Sequence, residues 1–286
     1  PPGDVDPRAA TLLDIAEVAL AAVRGDPHTA VAVGEAVWAR RDETPLSALP
    51  AELAAVAREC WGYLPVGMAR AHALLEDHVA ARRWSFVVRR QGPRLPADLV
   101  SLLGTEAWME ARRGRLRVAA ELADEGITLA AEHGAGARWA VIAARVARAM
   151  VHRERNELDD AVEVVEPHLA TALEDGRLAM TTLGEVELAH VECARGCIDA
   201  ALRRLLRTRR DLAAAGTPPF LAAVVDVAEC RIRLRAGDLD RAVDLLETIE
   251  PGPERTLLEA RARLESGRPG EVADLVAGLL EDDDDR

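Results

Sequence analysis

A short pattern returns seven times along the 286-residue chain, and it restricts the fold more than any other feature. Each copy starts on a small or turn-forming residue and places alanine or valine five positions later. The copies are GDPHTA from Gly25, EDHVAA from Glu76, GRLRVA from Gly114, NELDDA from Asn156, GCIDAA from Gly196, GDLDRA from Gly237 and GRPGEV from Gly267. Successive starts lie 51, 38, 42, 40, 41 and 30 residues apart. A period of this size marks a repeat architecture. Seven residues before each start is a second small side chain: Val18, Ala69, Ala107, Ala149, Ala189, Cys230 and Ala260. Two small residues twelve apart across a turn let two helix backbones approach closely, which is what a tight helical hairpin requires. The expected unit is therefore helix, turn, helix.

Composition agrees. Aromatic residues make up only 3% of a chain that is 49% hydrophobic, so the core must be aliphatic and rich in alanine. Such a core favours closely spaced helices over a sheet sandwich, whose pleated faces prefer β-branched and aromatic side chains. The net charge of -13 argues against DNA or an anionic membrane as a direct partner. Every basic side chain is arginine, with no lysine anywhere, so lysine-dependent chemistry is excluded. The four cysteines, Cys60, Cys193, Cys197 and Cys230, accompany no signal-peptide pattern and no long apolar run, the profile of a reduced cytoplasmic protein. The opening PPGDVDPR lacks an initiating methionine and the chain ends EDDDDR, which leads us to expect a piece excised from a longer protein.

The first helices of the hairpins are expected over 7–24, 51–75, 96–113, 137–154, 177–195, 218–236 and 253–266, with second helices after each turn. Breakers fall between units: Pro45 and Pro50, Pro93 and Pro96, Gly134 and Gly136, Gly176, Gly216 with Pro218 and Pro219, and Pro251 with Pro253. The residue eight after each start is apolar in six copies (Val33, Trp84, Leu122, Val164, Leu245, Leu275) and predicts the buried stripe of the second helix, with Arg204 as the exception. An irregular insert is expected at about 42–66, where Pro65 predicts a kink or an additional short helix. Pro167 predicts a break or bend in the fourth unit, and 281–286 an acidic, solvated tail.

The run from Gly114 to Glu250 carries GRLRVAAELADEGITLAAEHG, RERNELDDAVEVVEPHL and RLRAGDLDRAVDLLETIE. It resembles the tetratricopeptide-like solenoid of MalT-like regulators in the LuxR family. The period near 40 exceeds the 34 of ordinary tetratricopeptide repeats. The resemblance implies an all-α fold, a right-handed α-α superhelix of about seven tetratricopeptide-like hairpins forming a single solenoid over 1–286. It also implies a larger bacterial transcriptional regulator with an ATP-binding switch domain before the solenoid and a helix-turn-helix after it. In that family the solenoid receives an inducer and takes part in self-association. Neither flanking domain is legible here: without lysine there is no G-x-x-x-x-G-K phosphate loop, and the acidic C-terminus shows no helix-turn-helix pattern.

If the hairpins pack as tetratricopeptides do, the residues six before each turn line a concave groove. That column reads Ala19, Arg70, Trp108, Met150, His190, Arg231 and Arg261, and neighbouring positions add Tyr63, Arg112, Arg153, Leu234 and Arg235. Guanidinium forks beside an aromatic face suit an anionic or polyhydroxyl ligand, or an acidic peptide. The competing reading pairs these arginines with nearby glutamates on a solvated face. Trp108 has two places open to it, the repeat core or the groove wall. All five tryptophans (Trp38, Trp61, Trp84, Trp108 and Trp139) fall in the first half, which predicts a denser core there or an aromatic-lined pocket.

Other chemistry has less behind it. His190, Glu192, Cys193 and Cys197 approach a zinc-deaminase pattern, but the thiols lack the C-x-x-C spacing such a site uses, so packing as small apolar groups is the better reading. His72, His78 and His152 read as partly exposed helix residues. None of the four serines (Ser47, Ser85, Ser101 and Ser266) sits in a nucleophile elbow. No catalytic residue, metal or cofactor is assigned. The expected function is that of a sensor and assembly module, receiving a small-molecule inducer or a peptide or protein partner in the groove. The alternative is a free-standing tetratricopeptide scaffold for an acidic peptide or protein helix.

Overall fold

The computed structural model describes the backbone of residues 7–40, 51–92, 95–134, 137, 140–273, 275 and 277. Among these residues there are thirteen α-helices and no strand. They are α1 (Pro7–Arg24), α2 (Pro27–Ala39), α3 (Ala51–Leu74), α4 (His78–Gln91), α5 (Pro96–Arg112), α6 (Leu116–His133), α7 (Ile142–Glu154), α8 (Leu158–Glu174), α9 (Leu178–Ala194), α10 (Ile198–Ala214), α11 (Pro219–Arg235), α12 (Leu239–Thr248) and α13 (Pro253–Glu265). A 3-10 turn over Pro269–Glu271 follows. The chain divides within α9 into two compact units, Pro1–Gly184 and Glu185–Arg286. In the first unit α1 packs on α2 and α3, α3 on α4 and α5, and α5 on α6 and α7. In the second, α11 packs on α10, α12 and α13. α1, α3, α5 and α11 thus each touch their own partner and the first helix of the next hairpin, the packing of an α-helical repeat array.

The repeating pattern has a direct structural cause. Its first residue stands just past a helix end with a positive φ: Gly25 at 84°, Glu76 at 61°, Gly114 at 72°, Asn156 at 60°, Gly196 at 79°, Gly237 at 75° and Gly267 at 74°. There its N–H closes a short bond, as from Gly196 to the Cys193 carbonyl at 3.0 Å, and the next N–H reaches back a full turn, as from Cys197 to the Glu192 carbonyl at 2.9 Å. These paired bonds form the Schellman motif, which satisfies the last carbonyls of a helix and favours glycine or asparagine at the left-handed position. The residue after it begins the next helix. Asp26 and Asp77 cap theirs by accepting from the Thr29 and Ala80 N–H groups at 3.1 and 3.0 Å.

The small-residue pairs that flank these turns are sealed from solvent. Val18 and Ala30, Ala69 and Ala81, Ala107 and Ala119, Ala149 and Ala161, Ala189 and Ala201, and Cys230 and Ala242 are all fully buried. In the last pair the Cys230 thiol lies 3.5 Å from the Ala242 carbonyl oxygen, and burial pushes its pKa up to about 11. Cys230 is therefore a packing residue with little thiolate at neutral pH.

Several expectations need correction. The stripe of the second helices is centred nine residues after each start, where Gly34, Ser85, Ala123, Val165, Leu205 and Leu246 are buried; at the eighth position Trp84 is buried and Val33, Leu122, Val164, Leu245 and Leu275 are half-buried along its edge. The alanine five after the start fixes the stripe, and one helical turn of four residues carries it to the ninth position. Arg204, at the eighth position, is half-buried and pairs with Glu185 and Glu192 of α9 at 2.8 and 2.9 Å. Pro65 creates no separate short helix, since α3 runs through it, and α8 likewise runs through Pro167. Proline lacks the N–H that would donate to the carbonyl four residues earlier, which in α8 is that of Glu163. The next carbonyl, that of Val164, accepts from the Arg145 Nη1 at 3.3 Å. The fourth hairpin begins at Ile142 instead of 137. The part of the expected insert before residue 51, and the acidic tail, lie outside the described residues.

One left-handed position carries a poor residue for it. Thr217 has φ 48°, donates its N–H to the Leu212 carbonyl at 2.7 Å, and is exposed. A β-branched side chain is strained there, by about 1–2 kcal/mol, while glycine adds some unfolded-state entropy in return. Thr217→Gly is expected to raise the unfolding free energy by about 0.5–1 kcal/mol, read as a higher urea midpoint at constant slope.

Candidate functional site

The expected groove residues all lie on first helices of the hairpins: Tyr63 and Arg70 on α3, Trp108 and Arg112 on α5, Met150 and Arg153 on α7, His190 on α9, Arg231 and Arg235 on α11, and Arg261 on α13. Their exposure differs widely. Arg70 and Trp108 do not stand open to solvent; they are 4% and 7% exposed. Burial puts Trp108 in the repeat core. Tyr63 is half-buried against the core formed by α1 to α4, and Met150 is half-buried against Ala111, Ala119 and Val151.

In the first unit these residues form a connected cluster. The Arg70 Nη2 donates to the Ser101 hydroxyl, and the Thr105 hydroxyl donates to the Ser101 carbonyl at 2.9 Å. Arg70, Thr105, Trp108 and Met180 close on a cavity of about 10 Å³, room for one water molecule. On the outer side of Trp108 the Arg112 guanidinium lies 5.6 Å from the ring centroid, a cation–π contact, and also pairs with Glu76. Arg177, which the sequence column did not select, joins from the start of α9. Burial lowers its pKa, Tyr63 opposes that shift through a hydrogen bond, and the Arg70 charge reinforces it. Arg177 escapes the column because it follows the inter-hairpin turn at Gly176 instead of preceding a hairpin turn.

In the second unit Arg231 pairs with Glu254, and Arg261 with Glu265 at 2.9 Å. Burial raises the Cys193 pKa while the charges of Arg235 and Arg261 oppose it, which places both guanidinium groups near that thiol. His190 is half-buried. Arg153, in the first unit, pairs with Glu154 at 2.6 Å. Carboxylates therefore neutralise four of the expected groove arginines, Arg112, Arg153, Arg231 and Arg261, while Arg70 and Arg235 form no ion pair with a carboxylate among the described residues. An incoming anion at the paired positions has to displace a glutamate.

The histidines differ from expectation in one case. His72 is buried, held by Asp77 at 3.2 Å across its hairpin turn. The same five-residue reach joins His152 to Glu157 at 2.6 Å and Arg233 to Asp238 at 2.7 Å. It is a side-chain counterpart of the long Schellman bond. Asp160 completes a group with His152 and Glu157 whose ligand atoms lie within 4.8 Å of one another, but both carboxylates are largely exposed and the turn accounts for the pairing. Of the tryptophans, Trp84 is buried and Trp38 and Trp61 pack against the same core, with Trp38 edge-on to Trp84 at 5.0 Å. Trp139 lies outside the described residues. None of the described helices is long and apolar enough to cross a membrane.

Comparison with known proteins agrees with this architecture. No curated protein sequence matches the chain significantly. Among solved structures, the crystal structure of aspartyl phosphate phosphatase F from Bacillus subtilis is similar, with a TM-score of 0.53 at 10% identity. The similarity covers 98% of this chain and 84% of that one. At this identity it speaks for a shared helical-repeat fold. Residues 67–285 match the family described as the MalT-like TPR region. With most of its length inside that match, the chain belongs to the MalT-like tetratricopeptide-region family.

Proposed function

We propose that the chain is the sensor and assembly domain of a bacterial transcriptional regulator, a cytoplasmic and non-enzymatic module that takes up an effector or a protein partner along the first helices of its hairpins. Family membership over residues 67–285 is the observation that carries this reading. The half-buried Tyr63 and Arg177 and the exposed Arg112 over the Trp108 ring support it, because they set guanidinium groups beside aromatic rings on α3 and α5 and at the turn before α9. A repeat whose hairpins contact only their neighbours converts a local change into small rotations that add along the stack. For an effector to act in this way it must bind two states of the domain with different affinity.

A second reading, a scaffold for an acidic peptide, draws on α10. Arg203, Arg207 and Arg210 are exposed at helical spacing on that helix and form no ion pair with a carboxylate among the described residues. Sequencing the reading frame downstream of Arg286 separates the two. The regulator reading expects a helix-turn-helix in frame; a stop codon shortly after this segment would overturn it and leave the scaffold.

A further inference from the structure

The ends of α6 and α8 and the start of α7 enclose a cavity of about 330 Å³. That volume is at the lower end of small-molecule pockets. Its walls are apolar, provided by Ile127, Ala130 and Ile142 among others, and its polar groups are few: Arg145, His168, Thr171 and Asp175. None of the expected groove residues lines it, so this site and the groove reading fail independently.

Arg145 is unusual in this chain. Arg148, Arg204, Arg209 and Arg233 each hold a carboxylate within 2.9 Å. Arg145 holds none among the described residues; its Nη1 donates to the Val164 carbonyl, and its buried Nε has no hydrogen-bond partner. Burial lowers its pKa with no neighbouring charge to oppose the shift. His168 is lowered as well, first by burial and then by the Arg145 charge. A half-buried guanidinium with no carboxylate partner, lining a cavity beside an imidazole and a hydroxyl, is a receptor for an anion. Asp175 lines the same cavity and is exposed, so a second negative charge on the ligand would be repelled.

We infer that this cavity binds a small monocarboxylate with an apolar body, the carboxylate pairing with Arg145 and the body filling the aliphatic walls of α6 and α7. The apolar lining selects against sugars, and the single cation facing an aspartate selects against phosphates and nucleotides.

Isothermal titration of the whole chain at neutral pH with 4-methylpentanoate and phenylacetate tests this, with 4-methylpentanamide and inorganic phosphate as comparisons. The carboxylates are expected to bind, and the amide, lacking the charge, to bind at least about ten-fold more weakly. Arg145→Gln is expected to lose about ten-fold or more in affinity for the carboxylates. Ala131→Leu, at an exposed lining position of α6, is expected to do the same by filling the space. It decides the matter if circular dichroism shows Arg145→Gln misfolded. Equal affinity for amide and carboxylate, phosphate bound as well as the carboxylates, wild-type affinity in the folded variants, or no binding of either carboxylate up to roughly 10 mM would each overturn the proposal.

Discussion

Trp84→Ala is expected to lower the unfolding free energy by about 3–5 kcal/mol, the range for removing a large aromatic side chain from a packed core. Trp84 is 4% exposed on α4 and meets the edge of Trp38, whose ring in turn lies 6.4 Å from that of Trp61. The surrounding residues, including Val37, Leu64, Met68 and Val88, come from three different helices. No one of those helices can relax into the space without disturbing the others. Chemical denaturation followed by circular dichroism measures the loss. A change below about 1 kcal/mol would mean that this core tolerates the void and that the tryptophan cluster does not hold the first hairpins together.

Gly104→Val is expected to cost about 3 kcal/mol by the opposite mechanism, overpacking. A Cβ at position 104 would lie 2.7 Å from the backbone nitrogen of Ala144 and 3.0 Å from the Ala143 Cβ. The obstacle is the backbone of α7, which a rotamer change cannot move aside. Valine adds two further carbons to that contact, outweighing its gain over glycine in helix propensity of a few tenths of a kcal/mol. Gly126→Ala provides the contrast. Its Cβ would stand 3.4 Å from the Ala144 and Leu103 Cβ atoms, an ordinary contact. There the propensity gain, about 1 kcal/mol, is free to act, so that variant is expected to be as stable as the wild type or more so. Equal midpoints for the two variants would contradict the close crossing of α5 and α7.

The hairpin frame was legible because two demands on it are absolute. A helix ending in a Schellman motif requires a left-handed residue, and a close crossing requires a small one. Glycine, asparagine and alanine therefore recur at fixed offsets, with Glu76, Val18 and Cys230 as the departures. Further along the second helices the requirement relaxes, so Leu122 and Val164 at the eighth position attracted the stripe that belongs to Ala123 and Val165 at the ninth. Pro65 and Pro167 misled for a different reason. The penalty for an internal proline is local, whereas what offsets it is tertiary packing: Leu64 and Val66 beside Pro65, and Val165 and Leu169 near Pro167, are buried.

The candidate site was legible only as a set of positions. Placement on first helices follows from the repeat, but what a long arginine meets does not. Arg112 reaches Glu76, 36 residues away, and Arg231 reaches Glu254, 23 residues away. Arg177 and Arg145 carry no pattern in the chain that distinguishes them from the other arginines. Burial alone distinguishes them.

The claim that this domain is a receptor is tested most directly by thermal unfolding of the purified chain in the presence of sugars, nucleotides, phosphorylated metabolites, carboxylates and short acidic peptides. Binding to the folded state raises the midpoint as RT ln(1 + [L]/Kd), so a receptor must show a shift that grows with the concentration of one ligand class. The account predicts such a shift for the carboxylates that fit the cavity beside Arg145, and for any further class only if the first helices bind it. Midpoints that stay constant for every class across the concentration series would contradict a receptor for small molecules or short peptides and leave a protein partner.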